Sequence, residues 1–136
     1  MKYKYLKHTS EAKFKAFGKN VDEVFKNSAL AMMNILGNTG KVKSKKSKKI
    51  KIKSKNLTAL LYDFLSELLF LLEVKGLFLH DVKKIKISGD FELNCVVVGD
   101  SYKNYDLSGD IKAVTYNDMK IKKVAKGYEA IVVVDV

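Results

Sequence analysis

NLTALLYDFLSELLFLLEVKG, residues 56–76, is the longest apolar stretch of the chain, and its reading decides the fold. Leu57, Leu60, Leu61, Phe64, Leu65, Leu68, Leu69 and Leu72 recur at helical spacing, with Asn56 placed to cap the start and Gly76 just past the end. Thr58, Asp63, Ser66 and Glu67 interrupt it, so it lacks the run of about 18 uncharged residues that a membrane span needs. A helix apolar over most of its circumference must be covered on more than one side, by a sheet and a second helix.

Working outward, the second helix lies upstream. Asn20 is placed as its cap and Glu23 as the return half of a capping box; Val21, Val24, Phe25, Met32, Ile35 and Leu36 form one stripe that Gly37 closes. Before it, residues 1–8 (MKYKYLKH) and 13–17 (KFKAF) alternate bulky apolar side chains with lysine, predicting two short strands around a turn at Thr9-Ser10-Glu11. Residues 41–55, KVKSKKSKKIKIKSK, have the composition of a basic nucleic-acid arm. The period-two pattern Lys49-Ile50-Lys51-Ile52-Lys53 favours an edge strand instead, isoleucines inward and lysines in water.

Downstream of the long helix the chain reads mostly as strand. Val82–Ser88 repeats the lysine–isoleucine alternation, and Phe91, Leu93, Cys95 and Val97 share a face. Gly99–Gly109 is rich in turn formers and reads as a mobile surface loop or an excursion between strands. Lys112–Tyr116, Met119–Val124 and Tyr128–Val134 follow as three strands, the last a continuous apolar run suited to a central position covered on both faces. The expectation is an α+β fold: a single domain of 136 residues with two main helices packed on a largely antiparallel sheet.

Composition narrows the function classes. The formal charge is +11 and all 26 basic residues are lysines, a balance that attracts anionic partners such as RNA, nucleotides or an acidic protein face. Without arginine the chain lacks the side chain best suited to bidentate reading of phosphate or guanine. The lone cysteine, Cys95, sits in an apolar run and reads as a reduced core thiol. No cationic-then-apolar leader opens the sequence, which places the expectation in the cytoplasm with no membrane partner. Phosphate loops, dinucleotide turns, nucleophile elbows and zinc-spaced Cys and His sets are all absent, and the two histidines, His8 and His80, leave an acid–base enzyme few parts.

Two acids stand apart. Glu11 lies in the turn of the first hairpin, and Asp135 follows the most apolar strand. If that hairpin pairs beside the last strand, Glu11, Asp135, the Val136 carbonyl and its carboxylate form an oxygen-rich cluster of the kind Ca²⁺ and Mg²⁺ prefer. Read from spacing alone, an Asp at a strand end and a Glu in a turn are more often solvated boundary residues.

Four blocks, YLKHTSEAKFKAFGK (5–19), LLYDFLSELLFLLEVKG (60–76), IKAVTYNDMKI (111–121) and IVVVDV (131–136), together resemble the archease family in order and across nearly the whole chain. The resemblance implies a non-enzymatic protein cofactor of the tRNA-splicing RNA ligase, one that promotes GTP-dependent guanylylation of the ligase and restores its multiple turnover. It also implies, as an alternative, a chaperone or modulator of a tRNA methyltransferase; a lysine-rich module binding tRNA or other RNA is the rival from composition. Carried over by residue, the family's metal site falls on Glu11, Asp135 and the carbonyl of Val136, with Ca²⁺ first and Mg²⁺ or Mn²⁺ next. The family's usual Asp is Glu11 here, and its TYH is Tyr116-Asn117. Lys112 matches the basic residue before AVTY and is the candidate contact to a phosphate or partner acid; His8 matches too, to orient an acid or cap the first strand.

Overall fold

The computed structural model describes residues 1–6 and 11–136. Helix α2, Leu57–Lys75, is built as its sequence predicts: the Asn56 side chain accepts from the Ala59 amide, and Gly76, at φ 71, turns the chain out while its N–H closes onto Leu72. It buries Ala59, Leu60, Leu61, Phe64, Leu65, Leu68, Leu69 and Leu71. Leu57 and Leu72, expected inside, are only half-buried. Helix α1, Val21–Asn34, is capped by Asn20, whose side chain accepts from the Glu23 amide, while the Glu23 carboxylate accepts from the amide of Lys19. It stops at Asn34, short of the expected Gly37. Phe25 of α1 meets Phe64 of α2 at a centroid separation of 6.1 Å, at the centre of the core.

The strands divide between two antiparallel sheets. The first contains β1 (Tyr3–Leu6), β2 (Glu11–Gly18), β6 (Ala113–Val124) and β7 (Gly127–Asp135) in the order β1-β2-β7-β6. The second contains β3 (Lys46–Lys53), β4 (Leu77–Ile87) and β5 (Glu92–Ser101) in the order β3-β5-β4. The architecture is therefore α+β, with the two helices packed against both sheets. The central position of β7 follows from its sequence: Ala130, Val132 and Val134 face the helices, and Val133, between Lys13 and Thr115 on the opposite face, is also fully buried.

Several expectations change. Glu11 is the first residue of β2, not a turn residue. Strand β4 begins at Leu77, directly after Gly76, five residues before the alternation at Val82. The strands expected at 112–116 and 119–124 are one strand, β6, carried through a register shift where Asp118 adopts φ 56. The stretch Gly99–Gly109 is not a surface excursion at its start: β5 continues through Asp100 to Ser101, and a 3₁₀ turn follows at Tyr102–Asn104. Farther along, the Ser108 amide donates to the Leu36 carbonyl. The lysine-rich segment forms β3, an edge strand with Ile50 buried and Ile52 half-buried, as its period predicts.

Candidate metal-binding rim

In the β2–β7 ladder the register pairs Ala12 with Val134, Phe14 with Val132, and, as the last rung, Glu11 with Asp135. Directly opposed residues of an antiparallel pair project from the same face with Cβ atoms about 5 Å apart. The two acids therefore stand side by side at the rim of the first sheet, on the face turned away from the helices. On the other flank of Asp135 the opposed residue is Ala113, whose methyl leaves the acid row uncrowded. The Asp135 carbonyl accepts from the Lys112 amide at 2.8 Å, which pins the start of β6 to the end of β7.

The hydrogen-bond accounting of these acids is incomplete. The Glu11 Oε2 atom is buried and has no partner among the described residues. A buried acceptor left unsatisfied costs about 1–3 kcal/mol, and such groups ordinarily find a donor, water or ion. Asp135 is exposed. Among the described residues no three His, Cys, Asp or Glu side chains come together as a metal cluster. A cation here would therefore draw on two carboxylates, main-chain oxygen and water, an all-oxygen donor set that suits a hard divalent ion. The orphaned Oε2 and this donor set fit the group that the resemblance implies.

Around the rim, two rungs inward, Lys13 reaches Asp118 at 3.3 Å across the face, and the Thr115 hydroxyl donates to the Val133 carbonyl. Farther along the same face Glu129 lies between Lys15 at 3.8 Å and Lys122 at 3.3 Å. These lysines have acidic neighbours. Lys112 has its side chain exposed, with no hydrogen bond or ion pair among the described residues, so its place beside the rim is set by its backbone. His8 lies outside the described residues. Val136 is exposed at the strand end.

Sequence reasoning missed one feature near the rim. Tyr116, on β6 and more than half exposed, stacks on Tyr62 of α2 with centroids 4.1 Å apart and planes 7° apart. Only the α2–β6 packing brings the two together. Cys95, by contrast, behaves as read: buried in β5, its thiol pKa is pushed up to about 11 by desolvation, which keeps it protonated.

A two-sheet α+β domain of this kind is shared with known proteins. Residues 3–136 match the Archease protein family (MTH1598/TM1083), and the chain belongs to that family. It is 41% identical to the protein archease of Methanosarcina barkeri, over 98% of this chain and 95% of that one. To the archease of Thermococcus kodakarensis it is 32% identical, over 93% of this chain and 92% of that one. The solution structure of Methanobacterium thermoautotrophicum protein 1598 superposes with a TM-score of 0.84 at 31% identity, covering 99% of each chain. A crystal structure from Thermotoga maritima, described as an archease and possible chaperone, shares the fold with a TM-score of 0.65 at 21% identity, covering 98% of this chain and 96% of that one. Among the described residues no helix is long and apolar enough to cross a membrane.

Proposed function

We propose that this chain is a non-enzymatic cofactor of a cytoplasmic tRNA-splicing RNA ligase, promoting its GTP-dependent guanylylation and multiple turnover with a divalent cation held by Glu11, Asp135 and the Val136 carbonyl. One observation carries the reading: the buried Glu11 Oε2, without a partner among the described residues, lies on the rung shared with Asp135, at an open sheet rim. Membership of the archease family supports the reading, the ligase being the partner that the resemblance implies. When bound, Ca²⁺, or Mg²⁺ or Mn²⁺ in its place, supplies positive charge against a nucleotide phosphate.

The chain's own residues do the rest. Glu11 has its backbone locked into the β2–β7 ladder, which sets its partly buried carboxylate beside Asp135. Asp135 presents its carboxylate outward at the same edge, where a ligase surface can approach. Lys112, anchored through its amide beside Asp135, offers an ammonium to a phosphate or to an acid of the partner. The reacting nucleophile belongs to the ligase. Glu11 is one methylene longer than the family's usual Asp, a change in reach that calcium geometry tolerates better than magnesium geometry.

The test mixes the protein with its ligase, GTP and a broken tRNA, and follows product beyond one equivalent of ligase. Asp135→Ala, at an exposed strand end, should leave circular dichroism unchanged and abolish the stimulated turnover. Full stimulation by that variant would overturn the reading. The +11 charge favours a second reading, an RNA-binding or chaperone module. That module would bind RNA with a steep salt dependence and be indifferent to Asp135 and to chelators.

A further inference from the structure

The free edge of β3 and the neighbouring surface of α2 form a feature that the acid rim does not use. Strand β3 ends the second sheet, so one side of its eight residues carries backbone N–H and C=O groups that no strand among the described residues pairs. Between this edge and α2 runs a groove of about 290 Å³, lined by Lys48, Ile50 and Ile52 from the strand and Glu67, Phe70 and Lys75 from the helix. Phe70 is 47% exposed and Val74, one turn on, 60%. Residues four apart share a helix face, so the two make a continuous apolar ridge beside an unpaired strand. Such a ridge on an otherwise well-buried helix is a mark of a binding surface.

Charge selects the occupant. Along β3, Lys51 has Glu92 at 3.8 Å and Lys53 has Asp90 at 3.3 Å, but Lys46, Lys48 and Lys49 have no ion pair among the described residues. A second copy of this chain would bring the same lysines to the contact, and like charges on paired strands repel. The lysines thus block self-pairing while leaving the edge open to a strand of opposite charge. We infer that the β3 edge and the Phe70–Val74 ridge receive an extended, acidic segment of a partner protein, added as a fourth strand to the second sheet. Its backbone pairs with β3; alternate apolar side chains enter the groove over Phe70 on the face of Ile50 and Ile52, the acids between them meet Lys49 on the opposite face, and an acid where the segment passes the start of β3 meets Lys46 and Lys48. RNA is the weaker candidate, because Glu67 lies in the groove and a phosphate backbone cannot complete a strand ladder.

The test is fluorescence anisotropy with a labelled decapeptide of alternating glutamate and valine. Saturable binding is expected, weakened about tenfold by Phe70→Ala and at least as much by Lys49→Glu, with circular dichroism confirming both folds. Two further peptides carry N-methyl groups on the odd or on the even amides. Strand addition requires that one register lose binding and the other keep it, since only alternate amides face the edge. Equal binding by both N-methylated peptides, by oligoglutamate or by an oligouridylate of matched charge would reduce the surface to a polyelectrolyte patch and overturn the proposal, as would no binding at all.

Discussion

Two aspartates stand at the ends of the two central strands, and their surroundings differ. Asp100, next to last in β5, is almost wholly buried, and its carboxylate is consumed by structure. It accepts from the Tyr105 hydroxyl at 2.8 Å, from the Ser101 amide at 2.8 Å and from Asn104 at 3.4 Å. Asp135, last in β7, is exposed, and the acid opposed to it keeps a buried oxygen without a partner among the described residues. A carboxylate whose lone pairs are already filled by its own chain has little left for a ligand. The acid pair of the first sheet has that capacity, so the comparison separates a structural acid from an available one without appeal to position along the chain.

The largest expected effect tests the structural side. Gly99 precedes Asp100 and is opposed to Leu79 at a register shift between β4 and β5. A Cβ there would overlap the Phe78 carbonyl oxygen, a backbone atom that cannot rotate away. Gly99→Ala should destabilise the protein by about 3 kcal/mol, read by urea denaturation, at the upper end of what overpacking ordinarily costs. A loss within experimental error of zero would mean that the β4–β5 contact gives way freely, and that Asp100 is not held by a rigid frame.

The second prediction tests the available side. With calcium at a hundredfold excess over its dissociation constant, a single site should raise stability by about 2.7 kcal/mol. Glu11→Gln keeps the shape of the side chain and removes the charge, so this increment should vanish while the calcium-free stability stays close to that of the parent. Thermal melts with calcium and with chelator read both quantities. An increment that survives Glu11→Gln would move the cation away from the acid rung and collapse the contrast with Asp100.

How much of this was legible in the sequence depends on whether local chemistry or long-range pairing decides each feature. Helix α2 was readable to the residue because Asn56 and Gly76 mark its ends through side-chain and backbone conformational preferences that act locally. Strand β3 was readable because Ile50 and Ile52 fit a half-buried edge and no other regular structure, and β7 because its valine run suits both faces of a central strand. The division into two sheets was not readable, since it turns on β5 pairing with β3 and β4 rather than with β7. Leu77-Phe78-Leu79 is buried without alternation, so period two located β4 only from Val82 onward. Gly99 and Asp100 resemble turn residues, yet the glycine serves close packing and the aspartate serves as a buried acceptor. At the rim, Glu11 was readable as an acid near Asp135 only on the condition that the first hairpin pairs beside β7; the ladder supplies that condition, and it places Glu11 in the strand.

The smallest effect is the most discriminating, because it separates two bonds that share one hydroxyl. The Tyr105 hydroxyl donates to Asp100 and accepts from the Lys43 amide at 2.9 Å. Its bond is the foremost reason that the Asp100 carboxyl lies below its ordinary range. A carboxyl whose folded pKa is depressed contributes stability that is fully present above the unfolded value, near 3.9, and is lost as pH falls through the folded value. Tyr105→Phe returns the Asp100 pKa toward the unfolded one and so removes much of that contribution at neutral pH. It also strands the Lys43 amide, a loss that does not depend on pH. The variant should therefore melt a few degrees below the parent at pH 7, and the gap should narrow as pH drops below the carboxylate range. The part of the gap that disappears measures the bond to Asp100; the part that persists measures the amide. A gap of constant width across that range would mean that Tyr105 acts on the Lys43 segment alone, and Asp100 would then lose its claim to be the acid that structure has used up.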